Sequence, residues 1–190
     1  KKVIPPAYYI DQLMSYLNKP YYISLLNAAE ILGAAHQRPQ KFSVMTVLPK
    51  SSVSLSKNNL LVWGYRKEIP TDFLLSKNSE TGVIYYSNSA LTAIDIVQYE
   101  QHVGGLSRAA TILEELTEEL DFHGASKSLF KYTSIATIQR SGYILEEIIE
   151  QREVANVLHA ELLKYTRRFR YVALSTEKSD KSAKKNTRWK

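Results

Sequence analysis

Three short β-rich runs stand together in the middle of the chain: "KFSVMTVL" (Lys41–Leu48), "LLVWGYRKEI" (Leu60–Ile69) and "GVIYYS" (Gly82–Ser87). Helical periodicity flanks them on both sides. Strands segregated from helices favour an α+β layer arrangement over a doubly wound parallel sheet. The pattern predicts a small mixed or antiparallel sheet of about four strands, packed with six to seven helices. Taken in order, the three runs suggest an antiparallel meander. "PKSSVSLSKNN" (Pro49–Asn59) reads as a turn or loop, and "PTDFLLSKNSETG" (Pro70–Gly82) as holding one more short element.

On the N-terminal side, Asp11 is expected to cap a short helix that Pro20 ends. Tyr22, Leu25, Leu26, Ala29 and Leu32 then fall on one helical stripe, with Gly33 as its breaker. Beyond Tyr86 four further stripes follow. Leu91, Ile94, Ile96 and Val97 mark the first. The second runs through Leu106, Ala109, Ala110, Leu113, Leu116 and Leu120, with Ser107 as its cap and Glu114, Glu115, Glu118 and Glu119 opposite. The third takes Ile135, Ile138, Leu145, Ile148 and Ile149, and the fourth Val154, Val157, Leu158, Leu162 and Tyr165. "FRYVALS" (Phe169–Ser175) reads as a final strand. With no internal repeat and no long linker, a single domain is expected over residues 1–175, followed by a basic tail over 176–190.

Charge is one-sided. Residues 1–120 carry 11 Lys/Arg against 11 Asp/Glu, whereas residues 121–190 carry 14 against 8, so the whole net charge of +6 lies in the last third. Arg167, Arg168, Arg170, Lys184, Lys185 and Arg188, with Arg38 as an outlier, are the candidate contacts for a polyanion, since such cations neutralise phosphates and release counterions. A solvated basic helix end is the plainer reading of the same residues.

The sequence carries few motifs of catalytic or metal chemistry. Zero cysteines exclude disulfides, thiol catalysis and thiolate metal sites, and fit a reducing cytoplasm. The four histidines, His36, His102, His123 and His159, form no ligand pair. There is no nucleophile elbow, Walker loop or dinucleotide fingerprint, hence no implied cofactor, metal or catalytic residue. "GGLS" at Gly104–Ser107 is too short to count as an anion site. No apolar run approaches the roughly 20 residues of a membrane helix, and no secretory signal opens the chain. Carboxylates concentrate on helix surfaces. Two other readings stay open: a nuclease of the PD-(D/E)XK kind, assembled from distant acids such as Asp72 and Asp95, and a plain protein-interaction module. In the second, Tyr8, Tyr9, Tyr21 and Tyr22 form an exposed anchor patch, against which stands ordinary half-buried packing.

One stretch is more specific. "NKPYYISLLNAAEILGAAHQRPQKFSVMT" (Asn18–Thr46) resembles the signature of the bacterial AbiEi-type antitoxins, most of all in Gly33, Ala34, Ala35, His36, Gln37, Pro39 and Gln40. "ALTAIDIVQYEQHVGGLSRAATILEELTEELD", "IQRSGYILEEI" and "NTRWK" are similar to later landmarks of that family. The resemblance implies a non-enzymatic C-terminal antitoxin domain from a type IV, abortive-infection system. It implies a nucleotidyltransferase-like toxin as functional partner, without need of a stable complex. It also implies operator DNA, bound mainly through a winged helix that would precede Lys1; a chain opening at Lys1 rather than Met fits a fragment or processed product. Two departures stand out. Ser87-Asn88-Ser89-Ala90 replaces the family's S-T-P-E, and the chain stops after Trp189, where relatives continue into a short final strand.

Overall fold

The computed structural model describes residues 4–34, 39–49, 60–175 and 184–190. Ala35, His36 and Gln37 of the signature and the neighbouring Arg38 lie outside these residues, as do most of Pro49–Asn59 and residues 176–183 of the basic tail. The chain divides into two compact units, Lys1–Asn88 and Ser89–Lys190.

In the first unit a 3₁₀ turn at Pro6–Tyr8 leads into α1 (Ile10–Tyr16). Its N-cap is Tyr9, with no side-chain cap bond, so Asp11 does not cap the helix. Its carboxylate instead accepts a hydrogen bond from the Tyr21 hydroxyl at 3.1 Å. The helix ends at Tyr16, and Asn18 rather than Pro20 turns the chain out of it. Asn18 takes φ +51°, its N–H reaches the Ser15 carbonyl, and the Lys19 N–H reaches that of Met14. Those two bonds satisfy carbonyls that the last turn leaves without partners.

Tyr21–Ile23 is a strand, β1, and only Leu25–Ile31 is helix, α2. The helical stripe that began at Tyr22 therefore starts three residues late. Two aromatics and a β-branched residue suit a pleated surface, and all three are buried because β1 is the middle strand of a five-stranded sheet. Leu25, at φ +53°, turns the chain from strand into helix.

The sheet order is β3-β2-β1-β5-β4, with β2 at Phe42–Val47, β3 at Leu61–Arg66, β4 at Leu74–Ser79 and β5 at Gly82–Ser87. β1 runs antiparallel to β2 and parallel to β5, while β2 and β3 are parallel. The α+β class and a mixed sheet are as expected, but the meander is not. Parallel neighbours cannot be joined by a hairpin turn, and the β4–β5 hairpin uses a strand that the sequence showed only as a short element. Ile10 and Met14 of α1 pack on one sheet face with Tyr21, Ile23, Val44, Leu61 and Ile84. Tyr22 is fully buried, and its hydroxyl accepts from the buried Arg66 guanidinium at 2.6 Å.

The second unit is helical: α3 (Ser89–Gln98), α4 (Glu100–Val103), α5 (Leu106–Leu116), α6 (Ile135–Tyr143) and α7 (Arg152–Tyr165). α3 buries every residue from Ala90 to Val97, including Thr92 and Asp95, rather than one stripe. The N-cap of α5 is Gly105, which places Ser107 inside the first turn. The Ser134 hydroxyl caps α6 by accepting the Thr137 N–H at 3.0 Å. A π turn, Ile144–Ile148, then rotates the expected stripe, so Leu145 is buried but Ile148 faces solvent. Glu150, at φ +57°, redirects the chain into α7. No strand follows α7 among the described residues. Phe169–Ser175 has one ladder-like bond, from the Val172 N–H to the Lys190 carbonyl, and too few partners for a sheet.

Candidate nucleic-acid interface

Gln139 organises the C-terminal surface of the second unit. Its side chain is 2% exposed, and its amide nitrogen lies 2.7 Å from the Arg170 carbonyl, 2.5 Å from that of Trp189 and 2.9 Å from that of Lys190. A nitrogen with two hydrogens thus faces three acceptors. Together with the Val172–Lys190 bond and the Arg140 Nε bond to the Ala173 carbonyl, this sews residues 170–173 and 189–190 side by side over α6.

The sewn segments are pinned by Trp189, which is 1% exposed. Its ring stands edge-on to His159 with centroids 5.0 Å apart, and its indole N–H donates to Glu146. It lies against Gly142 so closely that an added Cβ would sit 2.0 Å from a ring carbon. Arg188 ion-pairs with Glu146, and its second nitrogen donates to Asn156 at 2.6 Å. Burial pushes the His159 imidazole below its usual range, and the neighbouring Arg188 charge adds to the effect. The predicted polyanion contact Arg188 is therefore committed inward, to the protein's own acid.

The other candidates are placed differently. Arg167, Arg168, Arg170, Lys184 and Lys185 are exposed, and no ion pair among the described residues engages them. Lys185 lies over the Tyr171 ring at 5.5 Å, and Lys190 over Phe169 at 5.7 Å. The folded chain thus brings two stretches of the basic C-terminal segment together. The alternation of aromatic and basic residues was visible in the sequence; their convergence on Gln139 was not.

Elsewhere the acids behave unlike surface charges. Asp95, Glu100 and Glu161 are all buried. Burial alone would raise the Glu161 pKa, but donors outweigh it: Lys164 at 2.6 Å, then the Ser126 hydroxyl and backbone N–H, bring it down to about 2. Among the described residues no three metal-capable side chains cluster. Asp72 is exposed in the first unit, whereas Asp95 is buried within α3. Exposed Asp121 holds His123 at 2.7 Å, and His102 stands edge-on to Tyr99. Tyr21 and Tyr22 are buried, and Tyr8 and Tyr9 are half-buried, so these four do not form an exposed anchor patch.

The signature occupies the first unit. Gly33, at φ +83°, ends α2: its N–H bonds the Glu30 carbonyl, and the buried Ala34 bonds that of Ala29 at 2.8 Å. A Cβ at Gly33 would meet nothing, so backbone conformation alone requires glycine. Asn27, six residues before Gly33, accepts the Ser43 N–H at 2.8 Å and ties α2 to β2. Pro39 and Gln40 line a cavity of about 710 Å³ floored by Ile23, Phe42 and Ile84.

Comparison with known families bears on the same elements. The family description of the AbiEi antitoxin C-terminal domain matches residues 22–147, from β1 into the π turn. The chain belongs to this antitoxin family. The match supports an antitoxin role in a toxin–antitoxin system. None of the curated proteins compared with the chain matches it. No described helix is long and apolar enough to cross a membrane. The match stops before α7, so the gathered basic segments of this AbiEi domain lie beyond the matched span.

Proposed function

We propose that this AbiEi domain is the antitoxin module of a type IV abortive-infection system in the bacterial cytoplasm. It counters a nucleotidyltransferase-like toxin, without a stable complex, and assists repression of its own operon by a DNA-bound winged helix. The family match over residues 22–147 carries the antitoxin part. The exposed Arg167, Arg168, Arg170, Lys184 and Lys185 support direct contact with a polyanion, whose counterions they would release. Arg188 contributes indirectly, by neutralising Glu146. Arg38 is retained as a further contact beside the signature.

Co-expression of residues 1–190 with the cognate toxin tests the first part, and rescue of growth is expected. Failure to rescue overturns the antitoxin reading. For the second part, Arg167→Glu with Arg168→Glu and Arg170→Glu should weaken operator retention in gel shifts and flatten its salt dependence. Unchanged retention removes these residues from the interface.

A further inference from the structure

Two aromatic rings, Phe169 and Tyr171, are set among these cations. Tyr171 is 53% exposed and Phe169 is half-buried. Each carries a lysine ammonium over its ring, so these rings are held in a charged surface rather than in a core. A duplex keeps its base faces stacked inside and offers a protein only phosphates, sugars and groove edges. The faces of exposed rings find little to stack on there. A single strand presents free base faces, which stack on aromatics whatever the sequence, while a flanking cationic track follows the phosphates.

We infer that the seam formed by residues 167–172 and 184–190 is a binding site for single-stranded nucleic acid. Bases stack on Tyr171 and Phe169, displacing Lys185 and Lys190 towards the phosphates, and Arg167, Arg168, Arg170 and Lys184 flank the track. Gln139 is the positioning residue that keeps the two halves of the seam together. This rests on the polyanion reading above and narrows it to a strand with unstacked bases.

Fluorescence anisotropy of the full chain with three labelled 12-mers at equal salt tests it: one RNA strand, one DNA strand and one DNA duplex. Single strands should bind at least about tenfold more tightly than the duplex. Tyr171→Ala should weaken single-strand binding about tenfold while leaving duplex binding within about twofold, and Tyr171→Trp should restore it. The RNA and DNA arms separate the two sources of the strand, since only RNA carries a 2′-hydroxyl. Equal or tighter duplex binding, or an indifferent Tyr171→Ala, overturns the single-strand site and leaves the polyanion reading standing. Binding to none of the three overturns both. Tyr171 is exposed, so the variant's thermal midpoint should match the parent's; a collapsed midpoint moves the test to Phe169→Leu, read in the same way.

Discussion

Gly142→Ala is a substitution for which two physical effects oppose each other, and the structure says which wins. Gly142 lies inside α6, where alanine is favoured over glycine by about 1 kcal/mol. The added Cβ would nevertheless sit 2.0, 2.1 and 2.4 Å from three atoms of the Trp189 ring. A rigid indole cannot fold away from such an overlap, so it leaves its site. Losing a buried Trp costs about 3–5 kcal/mol. Net destabilisation by Gly142→Ala should therefore be about 2–4 kcal/mol. Trp189→Ala alone should cost about 3–5 kcal/mol. Adding Gly142→Ala to that variant should instead recover up to about 1 kcal/mol, because the space is vacant and only helix propensity remains. Urea denaturation of the four proteins completes a double-mutant cycle, with a non-additivity of about 3 kcal/mol or more expected. Additive effects, or a neutral Gly142→Ala in the parent, would refute the packing of Trp189 described above.

Two further tests address charge and backbone. The Glu161 carboxylate titrates near 2 in the folded chain against about 4.5 unfolded, so its contribution is complete above pH 4.5 and fades as pH falls towards 2. Glu161→Gln should cost on the order of 2–3 kcal/mol at pH 7 and almost nothing at pH 2, as measured by thermal melts across that range; a pH-independent cost would show that the ionised form is not what matters. Glu150→Gly should stabilise the chain by about 0.5–1 kcal/mol, because a left-handed residue is relieved of its Cβ clash. A loss of stability in denaturant titration would place the left-handed conformation of Glu150 in doubt.

Sequence periodicity revealed the α+β class, three of the five strands and the four longer helices of the second unit, although α3 is buried all round and the π turn after α6 breaks the third stripe. It misassigned Tyr21–Ile23, since three residues buried on both faces have the same hydrophobic signature as the first turn of a helix. β4 was seen only as a short element: its pattern is polar because Leu74–Ser79 is an edge strand with four exposed residues. The reverse error fell on Phe169–Ser175, which among the described residues pairs with Lys190 through the Val172 N–H instead of joining a sheet. For the candidate interface, the basic residues and rings could be read directly. What could not be read was the fate of Arg188, because nothing local in "NTRWK" reveals that Glu146 lies across from it. Gln139 was equally silent, its importance arising wholly from carbonyls about 30 to 50 residues away.

The order β3-β2-β1-β5-β4 also shapes how the first unit is built in time. The β4–β5 hairpin is local and can form early, within microseconds for such a motif. Ile23 and Tyr86 must meet across most of the unit before β1 and β5 can pair, and that closure entropy is lost before the contact returns anything. Until then Tyr21–Ile23, three residues that demand burial, have only β2 on one side. The shortest strand is thus the keystone, and assembly of the unit waits on it.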